Sequence, residues 1–267
     1  MDNLILVLVL LAVGGAAVYK VWGPVRTLIR VIRRPNYEQN PQAAPLSRDD
    51  AQAVALGQVI CEQNMFFANS LETGGGSSDV AEQVKRLANN WDVVDRDSAL
   101  SAIERFREGG RRALEDLVLE VYLKVEPAER VAVLAEHLPQ ELMGPAQGML
   151  AEIPQLLAKL NEYELYQEDE LPGILERGTL AWDLGRVVYI ARAALLVGYL
   201  DANQAWQVVR QARAQLGEHF PDWKAYGQSY MLGRAFWSID DMAFDGLATI
   251  TKASWTDADS AWLKHPL

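Results

Sequence analysis

Four residues stand out because each is polar and lies in a stretch that is otherwise apolar at helical spacing. They are Asp183, Arg186, Tyr230 and Arg234. An arginine in such a setting can hold a carboxylate or phosphate through the paired donors of its guanidinium. Unpaired buried charges are costly, so each charged member should have a partner. We treat these residues as the candidate polar cluster of the chain.

Two helices must position this cluster. Residues 180–200 are apolar nearly all round, which predicts a helix at the centre of a bundle, and residues 223–238 predict a second helix. Asp183 and Arg186 are three residues apart and can pair, and Asp183 is also the expected partner of Arg234. One interpretation is a structural lock. The other is a pocket between the two helices in which Arg186 or Arg234 holds an anionic group.

Tryptophans frame the same region. The spacing predicts an aromatic core, and Gly227 and Gly233 would let a neighbouring helix approach closely. The framework consists of Trp182, Trp206, Trp223 and Trp237.

No catalytic signature accompanies these residues, so the sequence does not favour an enzyme and assigns no catalytic residue. The three histidines are far apart, and they predict no metal site. The glycine-rich run 73–79 lacks the lysine of a phosphate loop, so no nucleotide or other cofactor is expected. Cys61, the single cysteine, fits a reducing compartment and a buried thiol.

The start of the chain predicts a membrane anchor. Residues 4–18 carry no charge, and the apolar run extends to Trp22 with Lys20 near its end. Positive charge follows the run rather than preceding it, which predicts an uncleaved single span with the body on the cytoplasmic side. The expected location is a bacterial inner membrane.

A basic amphipathic segment, residues 24–34, predicts an interfacial helix after the span. The membrane is thus an expected partner through residues 4–34. We divide the chain into an anchor with interfacial helix over 1–34, a proline-containing linker over 35–47, and a body domain over 48–267.

Charge is distributed unevenly. The 267-residue chain has a formal net charge of −11. Residues 1–34 carry five Lys or Arg and one Asp, or +4, which leaves −15 for the remainder. An acidic body should be repelled by phosphate backbones, so we expect no nucleic-acid partner and consider a basic protein partner.

The body is expected to be all-α, an irregular multi-helix bundle that follows an N-terminal transmembrane helix. Helix-forming residues are abundant, and runs of β-branched residues are scarce. One helix is predicted from Ser47 to about Leu71. The prolines of 139–154 predict an irregular or short-helix segment, and Leu171-Pro172-Gly173 predicts a turn.

Several motifs together resemble a bacterial domain family of unknown function, family twelve-sixty-six. They are WDLGR at 182–186, GYL and AW within 198–206, and PDW, SY and GRAFW within 221–237. Residues 87–112 are similar to the usual N-terminal part of that family. The resemblance covers roughly 50–245 and implies no established reaction. Some members of such families are encoded beside secreted toxins, which suggests an immunity role by analogy only.

Taken together, the sequence predicts a non-enzymatic, membrane-tethered interaction protein whose acidic domain binds a partner, such as a toxin that it neutralises. The alternative is an enzyme or small-anion-binding protein with its site between the 180–200 and 223–238 helices. The sequence leaves the oligomeric state open.

Overall fold

The computed structural model describes residues 35–74, 79–240 and 242–267. The predicted anchor and interfacial helix, residues 1–34, lie outside this part of the chain. Among the described residues, no helix is both long and apolar enough to cross a membrane. Apart from one isolated antiparallel bridge, the regular structure in these ranges is helical. The all-α prediction is therefore confirmed.

The described ranges contain fourteen α-helices, joined mostly by short connections, and a 3-10 turn at Glu168–Glu170. In chain order the helices are α1 Arg48–Ala55, α2 Gln58–Gln63, α3 Val80–Trp91, α4 Arg96–Arg107, α5 Arg112–Lys124, α6 Arg130–His137, α7 Gln140–Glu162, α8 Leu171–Arg177, α9 Leu180–Leu196, α10 Ala202–Arg213, α11 Leu216–His219, α12 Trp223–Trp237, α13 Met242–Ser254 and α14 Ala261–Lys264. They form an irregular bundle.

Helix α9 lies at the centre of the bundle, as predicted. Every residue from Leu180 to Ala194 is buried, and the helix packs mainly against α12, α4 and α10. A helix that is apolar nearly all round can bury its whole circumference at once. Asp201 and Asp222 begin the two following long helices, where each side chain accepts a hydrogen bond from the first turn.

Two glycines set the close contact between α9 and α12. A Cβ at Gly185 would lie 2.7 Å from Cε2 of Tyr230, and a Cβ at Gly233 would lie 2.5 Å from Cβ of Trp182. Neither distance is compatible with a side chain at the present helix separation. Each of the two helices therefore contributes one glycine at which a large side chain of the other helix packs.

Arg192 is a buried charge of α9 that is held by backbone carbonyls. It is 1% exposed and donates to the carbonyls of Phe67, Leu71 and Glu72 at 2.6, 3.2 and 2.8 Å. The expected partners of this arginine are thus main-chain oxygens of the segment that follows α2. Cys61 is buried beside it, and burial raises the pKa of its thiol.

The prediction of an irregular or short-helix segment over 139–154 is wrong. Helix α7 runs without interruption through Pro145 and Pro154, and both prolines are exposed. Each proline removes one backbone hydrogen bond, but on the solvent side of the helix. The opposite face buries a regular apolar stripe against α5 and α12, which outweighs the local preference of proline. That stripe consists of Met143, Ala146, Met149, Ile153, Leu156, Leu157 and Leu160.

Two further local predictions need correction. The helix predicted from Ser47 to Leu71 is divided into α1 and α2 at Gly57, which is pressed against Val188 of α9. The turn predicted at Leu171 to Gly173 is the first turn of α8, where proline is tolerated because the first N–H groups lack helical acceptors.

The segment predicted as a linker, residues 35–47, has no helix and lies against the body. The backbone N–H groups of Asn36 and Tyr37 donate to the Glu62 carboxylate at 2.7 and 3.1 Å. The side chain of Asn40 contacts Glu72. This part of the linker is therefore fixed to the region around α2.

Helix α14 packs against α1 and α2, a contact that we call the clasp. Trp262 of α14 is fully buried, donates from Nε1 to the Ala55 carbonyl at 2.8 Å, and stacks on Trp223 at 5.3 Å between ring centroids. Gln58 donates to Ser260 Oγ at 2.8 Å. Helices α1 and α2 are thus held in place by residues about two hundred positions later in the chain.

Candidate functional site

An open cleft of about 670 Å³ lies between α9 and α12, with α2, α3 and α13 at its sides. Its volume falls within the range of ordinary small-molecule sites, about 300–1,000 Å³. The described lining contains three arginines and four side-chain amides but no aspartate or glutamate. Because arginine donors converge there and the described lining holds no carboxylate, the cleft suits an anionic guest.

The two central helices each bring one tryptophan and one arginine to the cleft. Trp182 and Arg186 are four residues apart on α9, and Arg234 and Trp237 are three residues apart on α12, so each pair shares a helix face. All four line the cleft. Each arginine follows a glycine, Gly185 on α9 and Gly233 on α12. The glycine permits the close helix contact, and the arginine next to it reaches the cleft.

Arg186 is held between two aromatic rings. Its Cζ lies 4.0 Å from the ring centroid of Phe106 and 4.8 Å from that of Trp182. Nη2 donates to Asp183, and Nε is buried without a hydrogen-bond partner in the described chain. Burial lowers the pKa of Arg186 and Asp183 opposes that effect, but a guanidinium stays charged in proteins. The group is positioned by stacking, and most of its donors remain unused.

Asp183 pairs with Arg186, as predicted, and its second partner is Arg112 of α5 rather than Arg234. Arg112 Nε lies 2.9 Å from Asp183 Oδ2, and the carboxylate is 4% exposed. Burial raises the pKa of Asp183, while the two arginines act against this. The sequence could not identify Arg112, because the contact joins residues 71 positions apart.

Further polar contacts join the start of α9 to α5. Asp116 accepts from the Thr179 N–H at 3.0 Å, and Glu115 accepts from Thr179 Oγ1 at 3.0 Å. Glu115 also pairs with Arg111 at 3.2 Å. Both carboxylates lie where α9 begins, so they accept hydrogen bonds from donors that have no partner within the helix. This part of the polar cluster has the geometry of a structural lock.

Arg234 is 4% exposed and lines the cleft from α12. Its Nη1 donates to the Ser238 carbonyl, beyond the end of the helix, and its Cζ lies 5.8 Å from the ring centroid of Phe244. The predicted pairing of Arg234 with Asp183 is therefore wrong. The Ser238 carbonyl and the Phe244 ring are among the groups that position this guanidinium.

Tyr230 lies behind the cleft rather than in its lining. Its ring contacts Trp182 edge-on at 5.1 Å and lies against Gly185. The hydroxyl is buried and has no hydrogen-bond partner within the described chain. Burial raises the pKa of this phenol above its usual range. Tyr230 supports the wall formed by Trp182 and does not face a guest in this structure.

The four framework tryptophans divide into two sets. Trp182 and Trp237 line the cleft. Trp223 instead stacks on Trp262 and donates to the His265 carbonyl at 2.9 Å, whereas Trp206 is half-buried with Arg210 over its ring at 4.9 Å. The prediction of an aromatic core holds for Trp223, but Trp206 and Trp223 do not contribute to the candidate site.

Helix α3 supplies the part of the cleft that the sequence did not reveal. Arg86, Asn89, Asn90 and Trp91 line the side opposite α12. Arg86 is positioned by Glu82 at 2.5 Å and by Asn64. The spacing of Arg86, Asn89 and Asn90 on one turn was a signal that could have marked this polar face. Its distance in sequence from α9 hid the connection.

Metal ligands do not come together in the described chain. No three His, Cys, Asp or Glu side chains in residues 35–74, 79–240 and 242–267 could hold a metal ion. His137 and His219 each lie 2.8 and 3.0 Å from a carbonyl of their own helix.

Comparison with known proteins places most of this chain in one sequence family. A family model described as "Protein of unknown function (DUF1266)" matches residues 86–267. The match starts later and ends later than the 50–245 suggested by the motifs. The chain is also similar to "Uncharacterized protein YbeR" of Escherichia coli (strain K12), with 24% identity over 151 residues. That alignment covers 57% of this chain and 56% of the relative's length. No solved structure matches.

Proposed function

This chain belongs to the DUF1266 family of proteins of unknown function, and we propose that it binds a small anion in the cleft between α9 and α12. The observation that carries the proposal is Arg186. It lines a cleft whose described lining contains no Asp or Glu, and only one of its five N–H donors has an acceptor among the described residues. The two arginines on the central helices and all three lining tryptophans fall within the family match.

The electrostatic setting supports this assignment. The chain as a whole is acidic, at −11, yet three of its arginines converge on one concave surface. Clefts lined by one sign of charge focus the local potential and attract the opposite charge. The acidic exterior would discourage bulky polyanions, so a small anion fits better than a nucleic acid.

The rigidity of the site also favours ligand binding. Arg186 is fixed by Phe106, Trp182 and Asp183, so little side-chain entropy remains to be lost when an anion arrives. The bidentate fork of arginine matches carboxylate and phosphate geometry.

The test is a titration of the full chain with inorganic phosphate, methyl phosphate and acetate, followed by NMR shifts of the indole N–H groups and by calorimetry. We expect at least one anion to bind and Arg186→Lys to weaken binding about tenfold or more, because lysine keeps the charge but loses the fork. Arg210→Lys is the matched control, since Arg210 also lies over a tryptophan but outside the cleft. Absence of binding by all three anions, or an unaffected Arg186→Lys variant, contradicts the proposal.

A second candidate function is a membrane-tethered interaction protein, and the acidic surface around α6 and α7 favours it. Residues 126–170 contain ten Asp or Glu and two Lys or Arg. Most of these carboxylates are exposed, including Glu136, Glu141 and Glu152. A basic protein, such as a toxin that this chain neutralises, would complement that surface. Binding to a basic product of a neighbouring gene should then weaken in Glu136→Lys/Glu141→Lys. Equal binding of the basic partner by the unmodified chain and by the double variant would exclude this surface as the binding site.

A further inference from the structure

Trp237 is an exposed indole at the edge of the cleft. Its side chain is 63% exposed, whereas the other tryptophans of the described chain are buried or half-buried. It lies at the last residue of α12, three positions after Arg234, and lines the same cleft. An exposed indole at the edge of a cleft offers a large apolar face to a binding partner.

The neighbouring aromatic rings are already occupied. Trp182 contacts Tyr230 and Arg186, while Trp91 packs against Phe106 and Tyr189 at 5.9 and 5.8 Å between ring centroids. Trp237, by contrast, makes no aromatic or cation contact within the described residues. Among the aromatic side chains of the cleft, its ring is the one available for a new stacking partner.

Beside Arg86, the α3 side of the cleft carries two neutral amide side chains. Asn89 and Asn90 are exposed on α3 and make no side-chain hydrogen bond within the described chain. An amide offers both a donor and an acceptor, so it can read the edge of a substituted or heterocyclic ring. The cleft therefore combines guanidinium groups from three helices, an unstacked exposed indole on α12, and two amides on α3.

We propose that the guest is a planar aromatic or heteroaromatic ring that carries one anionic group. Its anion contacts Arg186, and its ring stacks on Trp237. This assignment rests on the proposed anion-binding function and narrows its ligand class. Arg186 and Trp237 line the same cleft of about 670 Å³, so one small molecule can contact both side chains.

Four probes separate the ring from the charge. Phenyl phosphate has both, methyl phosphate has only the charge, benzyl alcohol has only the ring, and benzoate replaces the phosphate by a carboxylate. Calorimetric titration of the full chain gives each dissociation constant. We expect phenyl phosphate to bind roughly 5- to 150-fold more tightly than methyl phosphate, the range that stacking of one ring on an aromatic side chain provides. Phenyl phosphate should also bind more tightly than benzyl alcohol, which lacks the charge that Arg186 holds.

Trp237→Ala should remove this advantage, so that phenyl phosphate binds the variant no more tightly than methyl phosphate does. Because the side chain is exposed, the variant should fold, which an unchanged melting temperature would verify. Trp206→Ala is the matched control, since Trp206 lies against an arginine outside the cleft. It should bind all four probes as the unmodified chain does.

The outcomes distinguish the two proposals. Equal affinity for phenyl phosphate and methyl phosphate overturns the aromatic assignment and leaves the anion site intact. Failure of every anionic probe to bind overturns both. Binding of benzyl alcohol as tightly as phenyl phosphate contradicts the anion requirement. Preference for benzoate or for phenyl phosphate supports the inference in either case and identifies the anionic group.

Discussion

Asp183 is a single carboxylate that serves two arginines from different helices. Arg112 approaches it from α5 and Arg186 from the same helix, and the carboxylate is 4% exposed. A buried ion pair adds little net stability when intact, yet removal of one partner leaves charge uncompensated. The position of Arg186 at the cleft thus depends on a residue that does not itself line the cleft.

Asp183→Asn should lower the free energy of unfolding by about 3–5 kcal/mol, because it strips the counter-charge from buried arginines. Urea denaturation measures the change. Glu120→Gln provides the comparison, since Glu120 pairs with Lys124 on an exposed helix face. Exposed pairs of this kind contribute little, so its loss should leave the urea midpoint nearly unchanged. Equal effects of the two substitutions would refute the lock.

Glu115 predicts a pH dependence of stability. Burial raises the pKa of its carboxyl above the ordinary 4.5, against weaker effects of Thr179 and Arg111. The folded protein therefore holds this proton at pH values where the unfolded chain has released it. The resulting contribution to stability is fully present below the unfolded pKa and is lost as pH rises through the raised folded pKa.

Comparison of the unmodified chain with Glu115→Gln isolates this effect. Urea unfolding between pH 4 and neutrality should show the unmodified chain losing stability relative to the glutamine variant as pH rises above about 4.5. A difference between the two proteins that stays constant with pH would mean that the carboxyl titrates as an ordinary glutamate.

At the scale of elements, glycine has opposite roles on α12 and α7. Gly233 meets Trp182 of α9, whereas nothing lies within 4 Å of a Cβ built at Gly144 on the exposed side of α7. Gly233→Ala should therefore cost roughly 1–3 kcal/mol by separating two packed helices. Gly144→Ala should stabilise the chain by up to about 1 kcal/mol, because alanine favours the helix. Thermal unfolding of both variants checks the signs, and stabilisation by Gly233→Ala would contradict the close approach.

Element boundaries were predictable wherever local signals agreed. Helices α9, α10 and α12 combine apolar periodicity with caps or turns at their starts, and they were found near the expected positions. Helix α7 was missed because two prolines outweighed its periodic apolar face when read locally. In the structure the prolines face solvent, and burial of the apolar stripe against α5 and α12 stabilises a continuous helix. This packing cannot be inferred from the local sequence.

The candidate site was predictable in part for a similar reason. Trp182, Arg186, Arg234 and Trp237 lie on two helices that the sequence already brought together. The contributions of α2 and α3 come from about a hundred residues earlier, and no spacing rule connects them to α9. The adjacent residues Gly185 and Arg186, and likewise Gly233 and Arg234, mark the site in the sequence, because the glycine indicates close helix packing and the arginine is a charge that needs a partner.

At the scale of the molecule, the charge asymmetry predicts where the chain resides. Residues 1–34 carry +4 and include the uncharged run 4–18, whereas the rest carries −15. We expect the full chain to sediment with bacterial membranes and to resist a high-salt wash, because an apolar span rather than charge alone holds it. A chain lacking residues 1–34 should stay in the supernatant. Recovery of the full chain in the soluble fraction would contradict the tether.

The clasp between α14 and the first helices has a consequence for how the protein is made. Trp262 and Ser260 emerge from the ribosome about two hundred residues after Ala55 and Gln58, their partners in the folded core. During translation, α1 and α2 therefore lack the ring and hydroxyl that complete their packing. The packing of α1 and α2 therefore cannot be completed until α14 has been synthesised.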